Sequence, residues 1–292
     1  MAIEVGNIFE GRVTGVKPFG AFVALPDGST GMVHISEIAH AYVNDIRDHL
    51  TEGQDVKVMI SGGFKAALEK LAPEYERQTG DKIVVIPGPS MGNTPQAIPN
   101  RLARGEKADV VIMVGDALEK LEKASQTRPG SRTELADSPV GMVVKKGADI
   151  PDISSDAKLR ETLLQASSIA YSDSASGRYV SQGLFKKLGI EKEVADKATM
   201  VERIPVASEV AKGKYAVGFQ QVSELLPVQG VTFVGKIPDN VQYITRFAGA
   251  VTRHAEHPDE GKALLTYLAS PPSRAVIEKT GMIPVTSGDT AR

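Results

Sequence analysis

Val56-Lys-Val-Met-Ile-Ser-Gly-Gly-Phe-Lys-Ala-Ala-Leu68 decides the fold. Five residues rich in β-branched and long apolar side chains read as a buried strand. Ser61-Gly62-Gly63 then turns the chain, and the apolar spacing from Phe64 through Leu68 and Leu71 switches to the helical period. The helix is expected to run to a stop at Thr79-Gly80. A strand that passes through a glycine-rich turn into a helix is the opening unit of an α/β sheet.

Working outward, the same rhythm repeats. Lys82-Ile-Val-Val-Ile86 is a strand, and a helix is expected from about Thr94 to Arg104, stopped by Gly105. Asp109 to Val114 is the next strand, followed by Ser168 to Ser172, a helix after Gly177, and Tyr215 to Phe219. An amphipathic helix is expected from about Asp259 to Ala269, and residues 288–292 read as a loose tail. Alternating strands and helices predict a parallel sheet covered on both faces.

Bulk properties narrow the function classes. The chain has 292 residues, a net charge of −2 and no cysteine. Disulfides, zinc-thiolate sites and a cysteine nucleophile are excluded, and the balanced charge makes no case for the whole chain on nucleic acid or membrane. No apolar run approaches the roughly 20 residues of a spanning helix. The N-terminus, Met1-Ala-Ile-Glu-Val-Gly, lacks the basic and apolar regions of a signal peptide, so a cytoplasmic location is expected.

Three strand–helix junctions are rich in small donors: Ser61-Gly62-Gly63, Pro87-Gly-Pro-Ser-Met-Gly92 and Ser172-Asp-Ser-Ala-Ser-Gly177. Ligands of open α/β sheets lie at the carboxyl ends of strands. Hydroxyls, close backbone approach at glycine and the helix dipole together suit an anion. Any one such loop is more simply a turn with an N-cap serine. Three of them, spread over both halves, favour a ligand site.

Ser61-Gly-Gly-Phe-Lys-Ala-Ala-Leu68, Gly88-Pro-Ser-Met-Gly92, Arg104-Gly-Glu-Lys-Ala-Asp-Val-Val-Ile-Met113, Ala170-Tyr-Ser-Asp-Ser-Ala-Ser-Gly177 and Val217-Gly-Phe-Gln-Gln-Val-Ser-Glu224 resemble, in order, the molybdate-binding branch of the periplasmic solute-binding proteins. The resemblance implies the two-lobed periplasmic-binding-protein (type II) fold, with one lobe from 56–139 plus 245–287 and the other from 140–240. It implies that the lobes close on a small anion, a molybdate-like oxyanion or small carboxylate, and deliver it to an ABC permease without catalysis. Ser61 and Ser90 match the family's hydroxyl ligands, Ser176 and Val206 match positions that offer a backbone N–H, and Gln221 falls where a tyrosine is usual. With their loop neighbours Gly62, Met91 and Ser174 they form the expected contact set; Arg178 could pair with a carboxylate, although an exposed helical arginine is the simpler reading. No metal or cofactor is called for.

An enzymatic alternative comes from Gly88-Pro-Ser-Met-Gly92, which satisfies G-x-S-x-G between a strand and a helix. Ser90 would then be a nucleophile, with Asp239 as orienter and His254 or His257 as base. Pro89 and the polar setting of both histidines argue against it. His254 and His257 lack a third metal ligand at a suitable spacing. Asp109 and Asp116 read as a strand start and a helix cap.

Residues 1–60 read as short strands: Ile8 to Val16, Phe19 to Leu25, Gly31 to Ile35 and Val56 to Ile60, with Ser36 to Leu50 a loop. Gly11-Arg-Val-Thr-Gly-Val-Lys-Pro-Phe-Gly-Ala-Phe-Val23 and Gly31-Met-Val-His-Ile-Ser-Glu-Ile38 resemble the S1 RNA-binding domain, an OB-fold, and most of all the single-S1 general stress proteins. The resemblance implies that Phe19, Phe22 and His34 lie on a face for single-stranded RNA, whereas the residues alone are equally read as Phe19 and Phe22 packing a small barrel. The segment holds four Lys/Arg against eight Asp/Glu, a balance of −4 that disfavours phosphate. It also lacks a fifth strand, so the barrel is expected to be incomplete, with Val56–Ile60 serving as the last strand of one unit and the first of the other. A junction of this kind suggests a recombined or artificial chimera.

Overall fold

The computed structural model describes residues 3–39, 43 and 52–285. The expected tail at 288–292 and most of the loop read between Ser36 and Leu50 lie outside the described residues.

The N-terminal unit is an antiparallel meander of β1 (Arg12–Lys17), β2 (Gly20–Ala24) and β3 (Thr30–His34). Its β2–β3 turn is held by the Leu25 N–H donating to Ser29 O and by Asp27 Oδ1 accepting the Ser29 N–H. Phe22 pairs with Met32, and Gly20 with His34. The expectation of a fourth strand in this sheet is corrected. β4 (Asp55–Ile60) pairs in parallel with β5 and β6 of the next sheet instead. The segment just before it still guards the edge of β1: the Gly53 N–H donates to Val13 O, the Val16 N–H donates to Glu52 Oε1, and Arg12 pairs with Asp55 at 2.8 Å. These contacts satisfy part of an otherwise open sheet edge.

From β4 the chain continues through α1 (Gly62–Thr79), β5 (Lys82–Pro87), α2 (Ile98–Ala103), β6 (Val110–Val114), α3 (Gly115–Lys123) and β7 (Thr133–Ser138). It then crosses to β8 (Val140–Lys145), α4 (Asp156–Gln165), β9 (Ile169–Ser172), α5 (Ala175–Tyr179), a π-helical turn at Val180–Leu184, α6 (Phe185–Lys187), α7 (Glu191–Val194), β10 (Ala198–Val201), α8 (Val206–Ala211), β11 (Val217–Gln221), α9 (Val222–Leu225) and β12 (Val231–Lys236). It returns through β13 (Thr245–Val251), α10 (Pro258–Leu268), α11 (Pro271–Lys279) and β14 (Ile283–Pro284).

Two sheets result, in the order β14-β7-β13-β6-β4-β5 and β10-β9-β11-β8-β12. Both are mixed rather than parallel. β4 with β5 and β6, and β9 with β10 and β11, are parallel, whereas β13 is antiparallel to β6 and β7, and β8 to β11 and β12. The antiparallel strands are those next to the two crossings, where the chain reaches the other lobe and must reverse direction. The fold is the two-lobed periplasmic-binding-protein architecture, preceded by a small S1-type sheet.

α1 explains why the first lobe is stable. Phe64, Leu68, Leu71 and Tyr75 recur at helical spacing and are all buried against Val58, Ile60 and Ile112 of the sheet. Burial of a side chain such as Phe64 contributes about 2–3 kcal/mol. Gly80 ends the helix in the left-handed region at φ 74°, with its N–H on Glu76 O, as glycine does most readily. The helix expected from Thr94 is shorter, because Asn100 Nδ2 donates to Gly92 O and Thr94 O and holds the preceding residues in turns.

Candidate functional site

At the carboxyl ends of the strands the first two glycine and serine loops lie side by side, and Met91 of the second and Ala175 of the third line one cavity. Ile60 O accepts the Gly88 N–H, and the Ser61 N–H donates to Ile112 O, so the loops after β4, β5 and β6 are stitched side by side. Ser61 is the residue before α1, but its hydroxyl makes no cap hydrogen bond. Ser61 is 5% exposed, and its Oγ has no partner at all. A buried hydroxyl without a partner costs about 1–3 kcal/mol, so this is a group waiting for one. The hydroxyl of Ser174, before α5, likewise makes no cap bond and lies 2.7 Å from Ser172 Oγ. Ser176 is fully buried, 3.0 Å from the same Ser172 oxygen. The simple N-cap reading therefore fails at Ser61 and Ser174.

Ser90 is buried, and its Oγ accepts the Val114 N–H at 2.9 Å, which leaves its own hydrogen to donate. Met91 and Val114 from the first lobe face Ala175, Arg178, Tyr179, Gln182 and Gly183 from the second across a cavity of about 350 Å³. Tyr243, in the returning crossover, stacks on Tyr179 at 4.8 Å and closes one wall. Asp116 also lines this cavity. It stands in the first turn of α3 and does not cap that helix, which corrects the sequence expectation. Asp109 does mark a strand start: its carboxylate accepts the Lys57 and His257 N–H groups.

Two expected contacts take other roles. The Val206 N–H is not free, because it donates to Gln220 Oε1 at 3.1 Å. Gln221 is buried, with Oε1 accepting Ser138 Oγ at 2.7 Å. That same oxygen would lie 2.4 Å from a Cβ on Gly63, so Gln221 braces the lobes from beneath the site. Ser223 Oγ adds a second tie, donating to Gly63 O at 2.6 Å.

Glu224 was not picked out as a site residue by sequence reasoning. It follows Ser223 in the short α9 and reaches the start of α1, where a Cβ on Gly62 would lie 2.0 Å from Glu224 Oε1. Withdrawal from water pushes its carboxyl up to about 7. The negative charge of Asp173 adds to the rise, and a hydrogen bond from Gln220 opposes it. A carboxyl poised near neutrality between two lobes can both take and return a proton. The signal available in the sequence was an acidic residue in the first turn after a strand, which is common at helix starts for unrelated reasons.

The serine hydrolase alternative is not assembled. His257 is tied to Asp109 at the start of β6, whereas Ser90 binds Val114 at its end. Five residue steps from Asp109 to Val114 put those anchors roughly 16 Å apart. His254 faces a separate cavity of about 120 Å³ with Leu102 and Thr252. Among the described residues, no group of three or more His, Cys, Asp or Glu is placed to hold a metal ion, and no helix is long and apolar enough to cross a membrane.

On the N-terminal sheet, Phe22 and Met32 are cross-strand partners, and Gly20 and His34 are the next pair on the same face. Phe19 is 50% exposed and meets Phe22 edge to face at 6.4 Å. The three residues expected at an RNA surface thus lie close together.

Residues 56–283 match the family model described as bacterial extracellular solute-binding protein. The chain belongs to that family. Residues 2–65 match the S1 RNA binding domain, so both models claim β4 and the start of α1. The fold is similar to that of the Azotobacter vinelandii periplasmic molybdate-binding protein, with a TM-score of 0.61 and 20% identity over 79% of this chain and all of that one. The N-terminal unit is 49% identical over 57 residues to general stress protein 13 of Bacillus subtilis (strain 168), covering 20% of this chain and 44% of that protein. Over 228 residues the solute-binding part is 47% identical to a Pseudomonas protein named aconitate isomerase, covering 78% of this chain and 87% of the relative. That relative is an enzyme, and it overturns the expectation that this family member lacks catalysis.

Proposed function

We propose that residues 56–285 form an isomerase for a small unsaturated polycarboxylate of the aconitate class, built on a solute-binding fold. The observation that carries this reading is the 47% identity, over 228 residues, to a protein named aconitate isomerase. The cleft supports it. Ser61, Ser90 and Ser174 supply hydroxyls, α1 directs its helix dipole towards the site, and Arg178 borders the cavity. A planar guanidinium pairs with a carboxylate in two parallel hydrogen bonds, and the helix start favours a second anionic group. Several separated anion contacts suit a molecule with several carboxylates better than one tetrahedral oxyanion. In a titration, aconitate should release heat and raise the melting temperature, and the purified chain should convert one geometric isomer into the other. Binding of molybdate with no effect of aconitate would refute the reading.

A second reading adds transport and RNA contacts. The solute-binding family favours delivery of the bound anion to an ABC-type permease. The clustering of Phe19, Phe22 and His34 favours single-stranded RNA on the S1 sheet, by stacking of bases on exposed rings. A salt-dependent shift of the intact chain with a single-stranded oligoribonucleotide tests the RNA part.

A further inference from the structure

We propose that Glu224 is the catalytic residue that moves the proton, and that Gly62 is glycine because the carboxyl group must lie against the start of α1. The assignment rests on the isomerase reading above. Two geometric features meet at this carboxyl. The first is steric: a Cβ at Gly62 would lie 2.0 Å from Oε1, so the backbone of the first lobe comes as close to the side chain of the second as a glycine allows. The second is the Ser61 hydroxyl, buried and without a partner one residue before Gly62. Gln220 and Asp173, whose Oδ2 accepts the Arg203 N–H, are the neighbours that act on its charge, in opposite directions. A carboxylate opposes the binding of an anion beside it, and it is useful where a proton must also be removed.

The chemistry balances without a cofactor. Aconitate carries a CH2 beside a C=C, and three carboxylates. Glu224, as carboxylate, takes one proton from the CH2. The C–H electron pair becomes part of an allyl anion spread over three carbons and onto carboxylate oxygens. Ser61 and the first N–H groups of α1 are the donors placed to receive that developing charge. The resulting Glu224 acid returns the proton to the carbon that had been the vinyl terminus, so the double bond moves by one position and no atom or electron is gained or lost. The new double bond forms where a single bond had been. Its geometry is therefore the rotamer in which the cleft holds the first carboxylate, and no rotation about a double bond is needed.

The test uses the full chain with Glu224→Gln and Glu224→Asp, following aconitate by proton NMR and by thermal shift. The expected result for Glu224→Gln is a fall in kcat of about a hundredfold to ten-thousandfold, with the aconitate thermal shift retained. Glu224→Asp, which withdraws the carboxyl by one methylene, should fall between the two and keep a kcat/KM that rises with pH. Glu224→Gln turnover within tenfold of the parent chain would overturn the assignment while leaving the isomerase reading intact. A parent chain that binds aconitate and never turns it over would sink both.

Discussion

A Cβ on Gly62 would lie 2.0 Å from Glu224 Oε1, so a methyl group there requires the carboxyl to move. The two residues belong to opposite lobes, so their contact is also a measure of how the lobes close. Gly62→Ala should push the carboxyl aside without disturbing the core beneath α1. We expect an unchanged circular dichroism spectrum and a kcat lowered by about a hundredfold, the usual cost of misplacing a reacting group by about 1 Å.

Glu224 also makes stability depend on pH. Its folded pKa, about 7, lies above the ordinary value of 4.5. A carboxyl raised by folding stabilises the folded state below pH 4.5, where both states are protonated, and that contribution is lost as pH rises through about 7. Glu224→Gln should therefore melt higher than the parent chain at pH 8, by an amount equivalent to at most about 3 kcal/mol, and the gap should close below pH 5. A gap that widened on acidification would show that folding does not raise this carboxyl.

Gly177 carries a different constraint. A Cβ there would lie 1.5 Å from Ser172 O, which is backbone and cannot swing away. Gly177→Ala should distort the Ser172–Ser174–Ser176 cluster and lower the melting temperature of the whole chain, in the range above about 3 kcal/mol that marks core disruption. Differential scanning calorimetry checks it.

For the S1 sheet, Phe19→Ala with Phe22→Ala should weaken single-stranded RNA binding by more than about thirtyfold, because each stacked ring contributes roughly 1–3 kcal/mol. Aconitate turnover should be untouched. Equal RNA affinity in the double variant, measured by fluorescence anisotropy, would remove this face from consideration.

Much of the architecture was legible in the chain because it is written locally. Ser61-Gly62-Gly63 after an apolar strand and Thr79-Gly80 after a helical run mark their boundaries by backbone chemistry alone. What was missed depends on contacts distant in sequence. β7 and β8 run antiparallel to neighbours more than 70 residues away, and nothing in their own residues states a direction. α11 begins at Pro271, the second half of a helical pair whose first member alone was expected. Glu224 was hidden for the same reason: its contact is with α1, in the other lobe, and the sequence around it shows only an acidic helix start. Gln221, by contrast, drew attention as a departure from the family tyrosine. It proves to be a brace, hydrogen-bonded to Ser138, rather than a free group at the cavity.

A solute-binding fold that performs catalysis should turn aconitate over from either isomer. The most direct measurement starts two reactions with the intact chain, one from cis-aconitate and one from trans-aconitate, and follows the vinyl proton signals by NMR. Both should converge on the same isomer ratio, at a rate proportional to protein concentration and abolished by heat denaturation. Two mixtures that stay at their starting ratios, with aconitate demonstrably bound, would show that the cleft holds its ligand and does nothing more.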